Sequence, residues 1–505
     1  MMQGLQINGG IAMDDRHEGE IQKLSQEEMK KILKETRGKL ATQQQIIKEK
    51  KLPVLVLVEG WGAAGKGTLI SYLIRDLDPR FFQVIPTKPP TKEEKRKPFL
   101  CRHMQNIPEA GQFVFLDAGW MEETVCDVID GKCKGKELKK RLEDINIFER
   151  QLVDNGYLVL KIFVDVPKDI QKERIQRLLA DEDTKWRVGK RDLEQVEERK
   201  KYEKAYGHFI AETNTPKAPW HVIDSGEKGL VELQVCHLLV EGIDKAIKAK
   251  EVPVEIPENR FSIIPMPKLS HVSLDGTITQ EEYEIQLKAA QKKLKKLHNK
   301  IYNKGIPVII AYEGWDAAGK GGNIKRLTSA LDARGFQVHP IASPDVHEKN
   351  RHFLWRFWTR LPKTGHVAIF DRTWYGRVMV ERLEGFCSEN DWQRAYNEIN
   401  EFEKNLTDWG AVVVKFWIHI DKETQLKRFH EREATPEKRW KITEEDWRNR
   451  EKWDDYEIAV DEMLEKTSTE FAPWHVIQSN DKYFARIQAI NIVIEAIESK
   501  LETLK

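Results

Sequence analysis

Short apolar runs alternate with longer amphipathic segments along this chain. Such runs, rich in β-branched and aromatic residues, are typical of buried parallel strands that are connected by helices. The pattern therefore predicts an α/β fold with a mainly parallel, doubly wound sheet, and ligands of such sheets bind at the carboxyl ends of the strands. In the second half of the chain the predicted strands are PVIIAYEG (307–314), FQVHPI (336–341), HVAIFD (366–371), AVVVKFWIHI (411–420) and WHVIQS (474–479).

The whole pattern occurs twice. EGWGAAGKG at 59–67 returns as EGWDAAGKG at 313–321, and APWHVIDS at 218–225 returns as APWHVIQS at 472–479, both shifted by 254 residues. Two copies are too few for a solenoid, so the repeat predicts two tandem domains of the same fold. The predicted bounds are 22–248 for the first copy, 249–275 for a proline-containing linker and 276–505 for the second copy.

Composition and charge narrow the class of protein. The 505 residues include 83 Lys and Arg against 82 Asp and Glu, and this balance argues against nucleic acid or a membrane surface as a partner. The five cysteines show no CxxC spacing, which suits a reducing compartment. Residues 1–20 lack the basic start and apolar core of a signal peptide, and the apolar runs are too short to span a bilayer. We therefore expect a cytoplasmic protein.

A glycine-rich loop follows the first predicted strand of the second copy and precedes a helix. Its glycines permit a tight turn whose N–H groups face an anion, and Lys320 would reach the transferred phosphoryl group. A Walker A loop has Ser or Thr after this lysine to bind Mg²⁺, but both copies have glycine there, Gly67 and Gly321. A glycine turn without a ligand is the alternative, and the flanking strand and helix disfavour it. The candidate phosphate-binding residues are Gly314, Ala317, Ala318, Gly319, Lys320, Gly321 and Gly322.

Two aspartates are candidates for the missing magnesium ligands. Asp316 lies inside the loop and Asp371 ends a predicted strand, so both are expected at one sheet edge, where they would hold Mg²⁺ together with water. Arg372 and Arg377 follow, and positive charge there would stabilise the charge that develops in phosphoryl transfer. A turn-forming role for Asp316 and a surface ion pair for Arg377 are the alternatives.

A basic segment lies between the last two predicted strands of the second copy, where nucleotide kinases have a mobile lid. Closure of such a lid excludes water and brings cations onto phosphates. Five cations suit an anion longer than one nucleotide tail, although the interspersed glutamates also fit a solvated helix. These cations are Arg428, Arg432, Lys438, Arg439 and Lys441.

The first copy keeps the loop but not the acids and cations around it. Lys66 and Asp117 remain, but the metal-binding acid and the neighbouring arginines do not. We therefore expect no catalysis there, and a role as a scaffold, a dimerisation element or a weak polyphosphate-binding module. The replacements are Gly62 for Asp316, Ala118 for Arg372, Met121 for Tyr375, Glu123 for Arg377, Leu178 for Arg432 and Thr184 for Lys438.

Several segments of the second copy resemble signatures of the polyphosphate kinase 2 family. They are EGWDAAGKGGNIKRL (313–327), FLWRFWTRLPKTGHVAIFDRTWYGRVMVERLEG (353–385), KRWKITEEDW (438–447), WDDYEIAVDEML (453–464) and APWHVI (472–477). The two-copy layout is similar to that of the fused members of the family. The resemblance implies a P-loop kinase-like α/β fold with a helical lid in each copy and dependence on Mg²⁺. It also implies transfer of a terminal phosphoryl group from inorganic polyphosphate to AMP, giving ADP.

The resemblance also implies roles for particular residues. Those expected to act in catalysis are Asp316, Lys320, Asp371 and Arg372, with the two aspartates as metal ligands. Those expected to bind polyphosphate are Lys325, Arg326, Arg428, Arg432, Lys438, Arg439 and Lys441. Those that would contact the nucleotide are Trp374, Tyr375 and Arg377. Most aromatic residues of this region are nonetheless expected in the core.

Other functions stay open at this point. ADP is an alternative acceptor, which would give ATP. An ATP-dependent nucleoside monophosphate kinase is a second alternative, against which the missing loop hydroxyl and the basic lid argue. A non-catalytic polyphosphate-binding module is a third, and it fits the first copy best. The sequence leaves base preference and direction open, and it allows a homo-oligomer.

Overall fold

The computed structural model describes residues 25–226, 229–249 and 252–504. Residues 1–24, which include the expected start of the first copy and the segment without signal-peptide features, lie outside these ranges. The chain forms two compact units. Among the described residues, the first unit contains those up to Pro90, Arg102–Val254 and Val346–His352, and the second contains Thr91–Cys101, Glu255–Asp345 and those from Phe353 onward. Each unit thus includes a short segment of the other copy, which the repeat alone does not predict.

The first unit is built on a five-stranded sheet in which every strand pair is parallel. The strand order is β2-β3-β1-β4-β5, so β1, the strand before the loop, is central. This order agrees with a doubly wound fold. The strands are β1 (Val54–Gly60), β2 (Phe82–Pro86), β3 (Phe113–Asp117), β4 (Leu158–Asp165) and β5 (Trp220–Asp224).

The second unit repeats this sheet. Its order is β10-β9-β6-β8-β7, again parallel and again with the strand before the loop, β6, in the centre. The α/β fold class is confirmed, and each predicted strand of this copy agrees with the structure to within one residue at each end. The strands are β6 (Val308–Gly314), β7 (Phe336–Pro340), β8 (Val367–Asp371), β9 (Val412–His419) and β10 (Trp474–Gln478).

Helices connect the strands in both copies. The α-helices of the first copy are Gln26–Glu49, Lys66–Leu73, Cys101–Gln105, Trp120–Ile129, Lys136–Asp154, Lys168–Ala180, Lys190–Glu197, Arg199–Thr213 and Leu230–Ala249. Those of the second copy are Gln280–Lys304, Lys320–Thr328, Val346–Lys349, Trp355–Trp358, Val380–Leu383, Glu389–Asp408, Lys422–Ala434, Glu444–Glu451, Trp453–Thr467 and Lys482–Glu502. Short 3₁₀ helices include Lys185–Arg187, Trp374–Val378 and Pro436–Lys441.

The long helix Gln280–Lys304 shows how local sequence sets these boundaries. Thr279 and Glu282 form a capping box, in which the Thr279 hydroxyl accepts from the Glu282 N–H at 3.2 Å and the Glu282 carboxylate accepts from the Thr279 N–H at 2.9 Å. Gly305, with φ of 67°, ends the helix in the left-handed conformation that glycine adopts readily. One face of the helix is buried against Lys482–Glu502.

The central strands lie in the core. All eight residues of β9 are buried, including Lys415, whose ammonium group forms a 2.7 Å ion pair with Glu403. Within the described residues, no helix is long and apolar enough to cross a membrane. All five cysteines are thiols.

Candidate functional site

The phosphate loop of the second copy leaves β6 at Gly314. This glycine has φ of 144°, and a Cβ on it would lie 2.5 Å from the Ile418 carbonyl oxygen on β9, so only glycine fits. Ala317 and Gly319 also have positive φ, 60° and 114°. The turn directs the chain into the helix Lys320–Thr328, whose first N–H groups have no partner within the helix and are suited to an anion.

Lys320 lies folded over this loop. Its Nζ donates to the carbonyl oxygens of Gly314 at 2.5 Å and Trp315 at 3.1 Å. The first copy repeats the arrangement, with Lys66 Nζ at 3.0 and 3.1 Å from the Gly60 and Trp61 oxygens. A fixed positive charge therefore lies at the loop in both copies.

Asp316 and Asp371 lie at the carboxyl edge of adjacent strands. Asp371 ends β8 and pairs in register with Tyr312 of β6, and Asp316 follows the end of β6 by two residues. The Asp316 carboxylate is 17% exposed, and its Oδ1 lies 3.7 Å from Arg372 Nη2. Arg372 has φ of 67°, a strained conformation for a residue with a side chain. The structure thus brings Asp316, Asp371 and Arg372 to one edge of the sheet.

These two carboxylates are suited to magnesium by their donor chemistry. In the parts of the chain that the structure describes, no group of three or more His, Cys, Asp or Glu side chains is arranged to hold a metal ion. Mg²⁺ commonly takes one or two carboxylates and completes its shell with water and substrate phosphate oxygens. Asp316 and Asp371 could supply that number of hard oxygen ligands.

Glu313 belongs to the site, although the sequence analysis did not assign it a role. It is 6% exposed, and its Oε1 accepts from the Thr373 N–H at 2.6 Å and the Thr373 hydroxyl at 2.7 Å. Burial raises the pKa of this carboxyl group above its usual range. The contact ties the end of β6 to the turn after β8, and it therefore holds Asp371 and Arg372 against the loop. A charged residue in an apolar strand, repeated as Glu59, was the signal available in the sequence.

Arg428 has a different position from the one expected for a polyphosphate ligand. It is 5% exposed and donates to four main-chain carbonyl oxygens, those of Ala317, Ala318, Ser479 and Asn480, at 2.5–3.1 Å. Burial lowers the pKa of its guanidinium group to about 10. Arg428 therefore stabilises the loop through these main-chain hydrogen bonds, and its charge is not exposed to solvent.

The other expected polyphosphate residues lie nearer the surface. Lys325 and Arg439 are exposed, and Arg326 and Arg432 are partly exposed. Arg439 Nε donates to the Glu433 carbonyl oxygen at 2.8 Å. Lys438 and Lys441 lie in the 3₁₀ helix Pro436–Lys441, and the placement of their side chains lies outside what the structure describes.

The three expected nucleotide-binding residues take part in packing. Trp374 is 1% exposed and Tyr375 is fully buried, and both donate to Glu403 Oε1, at 3.0 and 2.7 Å. Arg377 lies 3.1 Å from Glu381 and 4.7 Å from the centre of the Phe353 ring. In this conformation the indole and the phenol are closed to a nucleotide base.

The loop of the first copy is covered by its own chain. The Gly62 N–H donates to Gln195 Oε1 at 2.7 Å, and a Cβ on Gly62 would lie 1.9 Å from Asp192 Oδ1. Arg191, beside Asp192, holds the Asp130 carboxylate at 2.6 and 2.7 Å. An aspartate at position 62, as in the second copy, would therefore require the helix Lys190–Glu197 to move.

Comparisons with known proteins identify relatives of this chain along nearly its whole length. A family model described as polyphosphate kinase 2 matches residues 23–251 and 277–505. A polyphosphate:AMP phosphotransferase from Pseudomonas aeruginosa is 38% identical over 91% of this chain and 93% of its own length. One from Acinetobacter johnsonii is 36% identical over 89% and 92%. A crystal structure from Pseudomonas aeruginosa, described as a polyphosphate kinase 2, is 36% identical, covers 95% of this chain and 98% of its own, and has a TM-score of 0.81.

Proposed function

The chain belongs to the polyphosphate kinase 2 family, and from this premise we propose that it transfers a terminal phosphoryl group of inorganic polyphosphate to AMP, giving ADP. The observation that carries the proposal is the second-copy site, where a phosphate loop with Asp316, the strand-end Asp371 and Arg372 lie at one sheet edge. Similarity to polyphosphate:AMP phosphotransferases over about nine-tenths of both chains supports AMP as the acceptor.

We propose Mg²⁺ as the cofactor, with Asp316 and Asp371 as its protein ligands. When bound, the ion would neutralise charge on the phosphate oxygens that react. Gly321 follows Lys320 where a Walker A loop has Ser or Thr, so the loop has no hydroxyl ligand at this position. This supports Asp316 and Asp371 as the ligands, because the ion then needs carboxylate oxygens.

The residues of the chain itself supply binding and orientation. The N–H groups at the start of Lys320–Thr328 would face the phosphate, and Lys320 and Arg372 would add positive charge where negative charge develops in the transition state. Glu313 and Arg428 keep the loop and the turn after β8 in place. The exposed cations Lys325 and Arg439 would extend the anion site along a polyphosphate chain.

ADP is a second candidate acceptor. A relative named ADP-polyphosphate phosphotransferase, from Pseudomonas aeruginosa, is 37% identical over 220 residues, but this match covers 44% of the present chain. The full-length matches favour AMP. We also propose the cytoplasm as the location, since all five cysteines are thiols.

The test is a comparison of phosphate donors with the purified full chain, Mg²⁺ and AMP. We expect long-chain polyphosphate to support ADP formation faster than ATP does at equal concentrations of transferable phosphate. Faster reaction with ATP would contradict the donor assignment. Replacement of AMP by ADP in the same assay ranks the two acceptors, and faster use of ADP would contradict the acceptor assignment.

A further inference from the structure

The carboxylate of Asp316 is held from outside the loop. Its Oδ2 accepts from Asn449 Nδ2 at 3.0 Å, and Asn449 lies on the helix Glu444–Glu451. The Asn449 side-chain oxygen in turn accepts from the Tyr456 hydroxyl at 3.4 Å. The predicted lid segment is 421–447, and in the structure its last helix, Glu444–Glu451, continues through Asn449. With this extension the lid comprises residues 421–451, and its last helix contacts the loop carboxylate directly.

A second chain of contacts joins the same two elements. The main-chain oxygen of Asp316 accepts from Gln425 Nε2 at 3.1 Å, and Gln425 Oε1 accepts from Arg450 Nη1 at 3.0 Å. Gln425 is 2% exposed, so these bonds are shielded from water. Main chain and side chain of one loop residue are therefore both tied to the lid.

The loop is also fixed beside Asp316 by a ring contact. Trp315 stacks on Trp453 with a centroid distance of 3.7 Å and an angle of 9° between the planes. Trp315 Nε1 donates to His419 Nδ1 at 3.0 Å, and burial, which lowers the pKa of His419 to about 4, keeps that ring able to accept. Trp453 begins the helix that follows the lid, so the lid has a rigid base from which Asn449 can reach Asp316.

The first copy shows what the same position does when the carboxylate is missing. Gln195 corresponds to Asn449, and its oxygen accepts from the Gly62 N–H. This lid position therefore contacts the loop in both copies, but in the second copy the amide donates to an acid, whereas in the first it accepts from the main chain.

We propose that Asn449 is a positioning residue for Asp316, through which closure of the lid fixes the orientation of the loop carboxylate. An amide suits this task because it donates a hydrogen bond to one carboxylate oxygen without adding a positive charge. Lys or Arg at this place would compete with a cation for the carboxylate. The proposal rests on the proposed function in one respect, namely that Asp316 is a ligand of Mg²⁺.

The test uses the full chain with Asn449→Ala, Asn449→Asp and the double variant Asp316→Asn/Asn449→Asp. The first readout is the rate of tryptic cleavage after Lys427 or Arg439 in the lid, without substrate, followed by mass spectrometry. Loss of the bond, or a like-charge contact in its place, should speed cleavage about 5- to 10-fold. The double variant restores an amide–carboxylate pair with the groups exchanged, and it should return cleavage close to the wild-type rate. Glu451→Gln, exposed on the same helix, is the control and should not alter it.

The second readout is the rate of ADP formation as a function of Mg²⁺ concentration. Asn449→Ala should raise the concentration of Mg²⁺ at half-maximal rate or lower the rate by about 10- to 100-fold, and the double variant should stay inactive because Asp316 is gone. Wild-type cleavage and activity in Asn449→Ala, or a double variant that is cleaved as fast as Asn449→Asp, would overturn the proposal. If the cleavage pattern is as expected while the wild-type chain does not use polyphosphate, the contact stands and the proposed function fails.

Discussion

Asp316 is one of the positions at which the two copies differ in charge. In the second copy its carboxylate lies between Arg372 and Asn449, whereas the first copy has Gly62 there and fills the space with Asp192. The loop of the second copy therefore carries a carboxylate at this position, whereas the loop of the first copy is covered by its own chain.

Replacement of this acid should remove catalysis and preserve the fold. We expect Asp316→Asn to lower the rate of ADP formation about 100- to 1,000-fold, because the amide keeps the shape of the side chain but loses the anionic ligand. Steady-state rates at saturating substrates measure the effect. Asp455→Asn, an exposed change on a nearby helix, is the matched control. A rate for Asp316→Asn within about threefold of the control would contradict the metal assignment.

Arg428 shows how burial changes the role of a cation. Its four hydrogen bonds to main-chain carbonyl oxygens stabilise the loop. In the first copy, Arg174 likewise donates to the carbonyl oxygens of Ala64 and Ser225, at 3.1 and 2.7 Å. We expect Arg428→Ala to destabilise the second unit by about 3 kcal/mol, since it leaves several buried acceptors without donors. Chemical unfolding measures this change, and Lys427→Ala on the exposed side of the same helix should be neutral. If Arg428→Ala had the same unfolding free energy as Lys427→Ala but a much higher KM for polyphosphate, the result would favour Arg428 as a polyphosphate-binding residue instead.

At the scale of elements, Glu59 joins β1 to the helix Trp120–Ile129. It is fully buried, and its Oε1 accepts from the Met121 N–H at 3.1 Å and the Glu122 N–H at 3.4 Å. Burial first, and then the charge of Glu122, raise the pKa of Glu59 from its ordinary value of 4.5 to about 8, against a smaller opposing effect of Lys66. The folded chain therefore keeps this proton over a pH range in which the unfolded chain releases it.

This difference gives the first unit a pH-dependent stability. Because the pKa is higher in the folded state, the contribution of Glu59 is complete below pH 4.5, falls as the pH rises from 4.5 to 8, and is constant above 8. We expect Glu59→Gln, which needs no proton, to be more stable than the wild type at pH 9 by roughly 5 kcal/mol and close to it at pH 5. Urea unfolding at pH 5, 7 and 9 measures this, with the exposed change Glu197→Gln as the control. Parallel pH profiles for Glu59→Gln and the wild type would contradict it.

The strands and the loop could be predicted from the sequence because they follow from local patterns. β9 is a continuous apolar run, and Gly314 stands where a Cβ would lie only 2.5 Å from a carbonyl oxygen of the neighbouring strand, a close approach that glycine marks in the sequence. The partner of Lys415 was harder to foresee, since a lysine in an apolar strand does not identify its acid. The repeat indicates the partner, because Lys161 and Glu149 of the first copy have the same spacing as Lys415 and Glu403 and also form a 2.7 Å ion pair.

The direction of individual side chains could not be predicted. Arg428 and Arg432 lie one helical turn apart, yet Arg428 is buried under the loop and Arg432 is partly exposed. Similarly, Trp374 and Tyr375 follow β8 closely but point to Glu403 in the core. In each case the decisive partner lies on a distant part of the chain, and tertiary packing rather than sequence spacing selects it.

For the whole molecule, the two sheets show the same order, but the two loops are in different chemical states. Both keep a lysine folded on the loop oxygens, Lys66 and Lys320, so the lysine alone does not distinguish the two copies. The difference lies in the acids, the arginines and the lid contacts. The two copies thus share a fold while their loops differ in the groups that surround them.

The two lysines provide a matched test of this division. Lys320→Met should lower the rate of ADP formation at least about 100-fold, because the loop would lose the positive charge that we propose acts on the transferred phosphoryl group. Lys66→Met should keep the rate within about twofold of the wild type, since Gln195 and Asp192 already cover the loop beside it. Each lysine makes two bonds to loop oxygens in its own copy, so thermal unfolding of both variants controls for a structural effect. If Lys66→Met, folded like the wild type, loses as much activity as Lys320→Met, the first copy takes part in the reaction.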